Sequence, residues 1–139
     1  MGSDRSLRYV LDATTLINFE RTSDLRKLPP AGSRIFIPNR VAREVNKPNT
    51  RLETWLKQHP GVVTAMLPDE SRLYLELLRQ PEIHDGEAAA LAIASQRQAQ
   101  LVTDDVAAQR KAARHAVECL STAEFRQQAI PRQLRLGDP

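Results

Sequence analysis

Apolar residues along the chain fall alternately into short unbroken runs and into stretches where they recur every three or four positions. Tyr9-Val10-Leu11 is a run that ends on Asp12, and Thr14 to Arg21 follows with Leu16, Ile17 and Glu20 at helical spacing. Pro29-Pro30 and Gly32 break the chain before a second run, Arg34 to Ile37, which Pro38-Asn39 leads into a helical turn bearing Val41, Glu44 and Val45. Thr50 and Glu53 stand at capping-box spacing and predict a helix from about Arg51 to Gln58, stopped by Pro60-Gly61. Val62 to Leu67 reads as a third strand. Asp69 is placed to cap a helix that carries Leu73, Tyr74, Leu77 and Leu78 on one face and ends near Pro81.

The second half repeats the alternation. Asp85-Gly86-Glu87 opens an alanine-rich helix to about Gln98, whose small side chains at Ala88, Ala89, Ala90, Ala92 and Ala94 allow a sheet to approach closely. Leu101-Val102-Thr103 is a strand ending at Asp104-Asp105, and a helix to about Arg114 follows, with Arg110, Lys111 and Arg114 near its negative end. Val117 to Leu120 is the last expected strand, Ser121 and Glu124 form a further capping box, and Pro131 to Pro139, without periodicity, reads as a mobile tail. Strands that alternate with helices predict an α/β fold with a parallel sheet covered on both faces, and ligands in such folds bind beyond the carboxyl ends of the strands. With 139 residues the chain is expected to form one domain, its core spanning about residues 8–126.

Composition narrows the function. No apolar run is long enough for a membrane span or a signal-peptide core, so a cytoplasmic protein without membrane association is expected. Met1-Gly2-Ser3-Asp4-Arg5-Ser6 formally matches a myristoylation pattern but reads as an ordinary recombinant leader. Cys119 is the only cysteine, which excludes an internal disulfide or a cysteine-built zinc site and leaves core packing as its expected role. The net charge is only +3, yet if four of the 17 acids gather in one site, the remaining 13 stand against 20 Lys and Arg, a surplus of seven that would attract a polyanion.

Four of those acids follow or face strand ends: Asp12 after the first, Glu44 in the turns after the second, Glu87 at the start of the alanine-rich helix, and Asp105 after Leu101 to Thr103. All can reach one sheet edge. Two carboxylates about 5 Å apart repel by roughly 3 kcal/mol at an effective dielectric near 20, so cations must compensate. Oxygen ligands without His or Cys select Mg²⁺ or Mn²⁺ over zinc, and two such ions about 4 Å apart suit phosphodiester hydrolysis.

These motifs resemble the PIN-domain family. Tyr-Val-Leu-Asp12-Ala-Thr-Thr-Leu-Ile, Val41-Ala-Arg-Glu44-Val, Gly86-Glu87-Ala-Ala-Ala-Leu-Ala and Leu-Val-Thr103-Asp104-Asp105 are similar, in order and spacing, to its successive motifs, over Tyr9 to about Phe125. The resemblance implies a PIN-like three-layer α/β/α sandwich with a central parallel sheet of about five strands. It also implies metal-dependent ribonuclease activity and, frequently, service as a VapC-like toxin paired with an antitoxin. Carried over by position, Asp12 is implied as the central bridging ligand, and Glu44, Glu87 and Asp105 as completing a four-carboxylate site for two Mg²⁺ or Mn²⁺ ions when substrate is bound. Thr14 either bonds a ligand carboxylate or caps the helix, Thr103 stands in the Thr-x-Asp pattern that selects Asp105, and Asp104 is either a helix cap or a partner of the ligands. Asp85 cannot share Glu87's direction and reads as an N-cap.

Other residues carry less. His59, His84 and His115 are scattered and lack metal-ligand spacing, His84 alone lying near the expected site. Trp55, Tyr74 and Leu78 sit on apolar stripes whose ordinary role is core or dimer face. No Gly-rich phosphate loop is present. A dehalogenase-like site would need an acid where Thr14 stands, and a receiver domain would pair its acids near the first strand. The alternative that survives is a catalytically silent PIN scaffold that binds RNA or a protein. Leu73, Leu77 and Leu78 suggest a homodimer face, and a basic segment of a partner such as an antitoxin would suit the acidic cleft.

Overall fold

The computed structural model describes residues 7–130. The leader reading of residues 1–6 and the tail reading of 131–139 fall outside them. Five parallel strands, β1 (Leu7–Leu11), β2 (Ser33–Pro38), β3 (Val63–Thr64), β4 (Gln100–Val102) and β5 (Cys119–Leu120), form one sheet in the order β3-β2-β1-β4-β5. The chain lays β1, β2 and β3 outward in one direction, then crosses back to place β4 and β5 on the other side of β1. That reversal lies between β1 and β4, where the backbone N–H of Asp12 still donates to the Val102 carbonyl at 3.3 Å. In open parallel sheets a crevice forms beyond the carboxyl ends of the strands at this point.

The alternation of side chains along β1 divides the interior into two cores. Tyr9 and Leu11 face one layer and Val10 the other, and none of the three is exposed. The first layer is α1 (Ala13–Arg21), α2 (Asn39–Val45), α3 (Arg51–Gln58) and α7 (Thr122–Ala129), which contribute Leu16, Phe19, Val41, Trp55 and Phe125. Across the sheet, α4 (Pro68–Leu78), α5 (Asp85–Arg97) and α6 (Val106–Arg114) contribute Tyr74, Leu77, the run Ala88 to Ala94, and Ala112. The expected three-layer α/β/α sandwich with a five-stranded parallel sheet is therefore present. The alanine run is buried on every side because α5 lies on the sheet beneath α4, and side chains this small let both contacts close. Among the described residues no helix is long and apolar enough to cross a membrane.

Several local readings are corrected. The third strand is two residues long instead of the expected Val62 to Leu67: Pro60–Val62 winds into a 3₁₀ turn, and Pro68 opens α4. The intervening Ala65 carbonyl accepts from Arg97 Nη2 at 3.1 Å in place of a strand partner. Asp69 does not cap α4, because the helix begins at Pro68 with Leu67 as N-cap residue, and the buried Glu70 carboxylate accepts the Leu67 N–H at 2.8 Å. The last strand is confined to Cys119–Leu120. Trp55 and Tyr74 are core residues, as are Leu77 but not Leu78, which is 37% exposed. The outward apolar residues of α4 are thus Leu75 and Leu78, with its N-cap residue Leu67 exposed as well.

Candidate active site

Asp12 ends the central strand and caps α1. Its Oδ1 accepts from the Thr15 N–H at 3.2 Å and from the Thr14 hydroxyl at 2.7 Å, while its Oδ2 accepts from the Thr103 hydroxyl of the neighbouring β4 loop. The two threonines also receive the next loop's amides: Asp104 N–H donates to Thr14 Oγ1 and Asp105 N–H to Thr103 Oγ1, both at 3.1 Å. With both hydroxyl protons directed at Asp12, the 3.4 Å separation of Thr14 Oγ1 from Thr103 Oγ1 is a contact and not a hydrogen bond. Of the two alternatives for Thr14, the bond to the carboxylate is the one present, since Asp12 itself is the N-cap of α1. Burial raises the Asp12 carboxyl above the ordinary carboxylate range, outweighing the hydroxyl and amide hydrogen bonds that favour the anion, and the charge of Asp104 pushes the same way.

The adjacent aspartates divide their work. Asp105 is the N-cap of α6, its Oδ1 accepting the Ala107 N–H at 2.9 Å and the Ala108 N–H at 3.4 Å. Asp104 does not cap that helix. Its carboxylate reaches the start of α7, where it accepts the Thr122 N–H at 2.7 Å and the Thr122 hydroxyl at 2.8 Å. Thus the β4 loop holds α1, α6 and α7 together around Asp12.

A second group of acids surrounds the start of α5. Glu44, exposed on α2, lies over the α5 backbone so closely that a Cβ added at Gly86 would stand 3.1 Å from its Oε1. A side chain at 86 would require that flexible carboxylate to give by a few tenths of an ångström. Glu87, one residue on, pairs with Lys111 of α6: Nζ lies 3.2 Å from Oε1, the side chains are 8% and 11% exposed, and the ammonium also donates to the Glu82 carbonyl. Asp85 is not the N-cap of α5. His84 occupies that position without a side-chain cap bond, and Asp85 is the first helical residue, its carboxylate bonded by the Tyr74 hydroxyl and by Arg40 Nη1 at 3.1 Å. The Tyr74 hydrogen bond holds Asp85 below the ordinary carboxylate range against a smaller opposing effect of burial, with help from Arg40.

Asp12 and Asp105 are therefore linked through Thr103, and Glu44 and Glu87 through the start of α5. Among the described residues no three His, Cys, Asp or Glu side chains converge closely enough to enclose a metal ion as their rotamers stand. The donor set nonetheless fits a hard divalent cation. It is all oxygen, and Asp12 is a half-buried carboxylate with no basic side chain in ion-pair contact among the described residues. Cys119 is not a competitor for metal, because burial, and then the charges of Asp12 and Glu124, push its thiol up to about 11.

Lys111, grouped by the pattern with Arg110 and Arg114 near the negative end of α6, is instead buried against Glu87. The signal was its position: Ala108, Lys111 and Ala112 share the apolar stripe of that helix, and all three are buried.

Residues 8–125 match the family model DUF3368, described as a PIN domain. No curated protein matches the chain in sequence. In structure the chain is similar to a PilT N-terminus domain protein, SSO1118, from the hyperthermophilic archaeon Sulfolobus solfataricus P2, with TM-score 0.62 and 16% identity over 88% of this chain and 92% of that one. It is similar as well to VapBC2 from Rickettsia felis bound to a DNA fragment from their promoter, with TM-score 0.58 and 14% identity over 83% of this chain and 98% of that one. A toxin-antitoxin complex from Klebsiella pneumoniae is a third, with TM-score 0.53 and 16% identity over 73% of this chain and 89% of that one.

Proposed function

The chain belongs to the PIN-domain family, and from that premise we propose that it is a metal-dependent endoribonuclease whose ligand set is Asp12, Glu44, Glu87 and Asp105. The observation that carries this reading is Asp12: a carboxylate at the topological switch of the sheet, desolvated, oriented by two hydroxyls and one amide, and without a cationic partner among the described residues. Ionising such a group is costly unless a cation shares its charge. Mg²⁺ or Mn²⁺, if held there by Asp12 with Glu44, Glu87 and Asp105, would supply Lewis acidity and lower the pKa of the water that hydrolyses the phosphodiester.

The chain's own residues do the rest. Thr14 and Thr103 fix the two Asp12 oxygens, Asp105 is oriented by its cap bonds to α6, and the absence of a Cβ at Gly86 leaves room for Glu44. The surplus of basic residues outside the acidic set favours a polyanionic substrate. Within the family reading, the toxin of a type II toxin-antitoxin pair is the role we infer, supported by fold similarity to toxin-antitoxin complexes. A basic segment of the antitoxin would neutralise the same carboxylates.

The test is cleavage of 5′-labelled single-stranded RNA, with DNA of the same sequence in parallel, by purified chain in Mn²⁺, in Mg²⁺ and in EDTA. Cleavage of RNA that EDTA stops and Asp12→Asn abolishes is expected. RNA that is bound but left intact under all three conditions would replace this reading with the silent scaffold.

A further inference from the structure

Of the four carboxylates in the candidate ligand set, one differs in kind. Asp12, Glu44 and Asp105 contact no basic side chain among the described residues, whereas Glu87 contacts Lys111. We propose that Lys111 is a built-in counter-cation of the acidic crevice, neutralising Glu87 within the protein so that the free chain holds one divalent ion, centred on Asp12, and not two. The inference rests on the nuclease reading of the site and divides its ligand set into two halves.

The argument begins with burial. Lys111 is 6% exposed, on the α6 stripe between Ala108 and Ala112, and a buried ammonium is stable only where its charge is matched and its protons are accepted. Two acceptors meet it, the Glu82 carbonyl and Glu87 Oε1. The carbonyl lies on the α4–α5 connection and the carboxylate on the first turn of α5, so one ammonium fixes both to α6. The same helix begins at Asp105, six residues earlier, which is about 9 Å along the axis. α6 thus presents an acid to the Asp12 half of the crevice and a cation to the Glu87 half. A second divalent ion on Glu87 would have to share an oxygen with, or displace, an ammonium that has no solvent to retreat into. In the Asp12 half nothing comparable opposes an ion: the donors around that carboxylate are hydroxyls and an amide, which carry no charge. Lys111 is accordingly a positioning residue. It acts on ions and substrate only through Glu87.

Mn²⁺ binding to the full chain decides the matter, with free Mn²⁺ counted by electron paramagnetic resonance and affinity measured by calorimetry. Wild type is expected to bind one ion per chain. Asp12→Asn should weaken that ion at least about tenfold, because even partners one layer outside the ligands alter metal affinity about 10- to 100-fold, whereas Glu87→Gln, which removes a charge that Lys111 already matches, should leave it within about threefold. Lys111→Met should gain a second ion, and Lys111→Met/Glu87→Gln should lose it again. A residue that merely braced the fold would change the melting temperature without changing the number of ions. Wild type that binds two ions of similar affinity, Glu87→Gln that weakens the ion as much as Asp12→Asn does, or a folded Lys111→Met that still takes one ion would each overturn the proposal. Should Lys111→Met fail to fold even in Mn²⁺, the Glu87→Gln titration decides alone. If Asp12→Asn binds Mn²⁺ like wild type, the nuclease reading itself fails, whereas failure in the Glu87 or Lys111 arms alone removes only the counter-cation.

Discussion

Asp12→Asn should separate stability from activity, and the hydrogen bonds around the site set how cleanly. Thr14 and Thr15 both bond Oδ1, which asparagine retains, so the cap of α1 survives. Only the Thr103 hydroxyl, which donates to Oδ2, must turn. It can then accept from the new amide while still accepting the Asp105 N–H at 3.1 Å, so one hydrogen bond reverses at a net cost of about 1 kcal/mol. Against this stands relief from desolvation. Because burial raises the folded-state pKa of Asp12 above its unfolded value, folding binds a proton between the two values; stability therefore falls as pH rises through that window, and the loss persists at neutral pH. Asparagine has no such loss. The two effects oppose one another, and the melting temperature in EDTA should stay within roughly 5 °C of wild type for a domain of this size. Divalent ion then distinguishes the proteins: a ligand at 100 times its Kd stabilises wild type by about 2.7 kcal/mol, and Asp12→Asn should gain little. RNA cleavage should fall at least about 100-fold, since partners one layer further out already cost 10- to 100-fold. Paired thermal melts in EDTA and Mn²⁺, with cleavage of labelled RNA on the same samples, make the measurement. Equal Mn²⁺ stabilisation of both proteins, or wild-type cleavage by the variant, would refute the reasoning.

Three further outcomes follow from the geometry. Gly86→Ala adds a Cβ 3.1 Å from Glu44 Oε1, the end of an exposed side chain that can give by a few tenths of an ångström, while improving helix propensity by up to about 1 kcal/mol, so the melting temperature should hold or rise in thermal melts; a clear fall would show that the contact between α2 and α5 cannot yield. Asp105→Ala loses the α6 cap at about 1 kcal/mol together with most cleavage, whereas Asp104→Ala loses two bonds to α7 at about 1–3 kcal/mol and should keep most of it when assayed well below its melting temperature. Asp85→Asn keeps an acceptor for Tyr74 but loses the exposed pair with Arg40, a difference of about 0.5 kcal/mol at neutral pH; since the folded pKa is depressed, that difference should vanish as pH falls below the ordinary carboxylate value near 4 and through the folded one, as melts between about pH 3 and pH 7 will show.

Local chemistry explains which elements could be read in advance. The run at Tyr9-Val10-Leu11, the Thr50 cap, the Ser121 capping box and the alanine-rich stretch after Gly86 each depend on residues within one or two turns, so their helices and strands stand close to where the pattern places them, although Glu53 accepts from the Asn49 N–H and leaves the expected box at Thr50 half formed. The candidate acids were legible for a related reason. Asp12, Glu87 and Asp105 adjoin a strand end or a helix start, positions that parallel α/β folds bring to one edge whatever the order of the strands, whereas Glu44 stands at the end of α2. Boundaries failed where a distant group intervened. Arg97 takes the Ala65 carbonyl and closes the third strand early, and Glu70, itself paired with Arg97, supplies the bond at the α4 start that had been assigned to Asp69.

The sequence by itself determined the alternation of strand and helix and the buried alanine helix, and it named four candidate carboxylates, because periodicity and caps are written within a few neighbouring residues. Only the tertiary structure decided how those carboxylates are partnered. Asp85 binds Tyr74 of α4 and Arg40 of α2 instead of capping its own helix, Asp104 turns to α7 while Asp105 caps α6, and Lys111, outwardly one more basic residue at a helix end, is buried against Glu87. These choices join residues 11 to 45 positions apart along the chain. A carboxylate takes whichever donor the packed layers bring within 3 Å or so, and no local pattern carries that information.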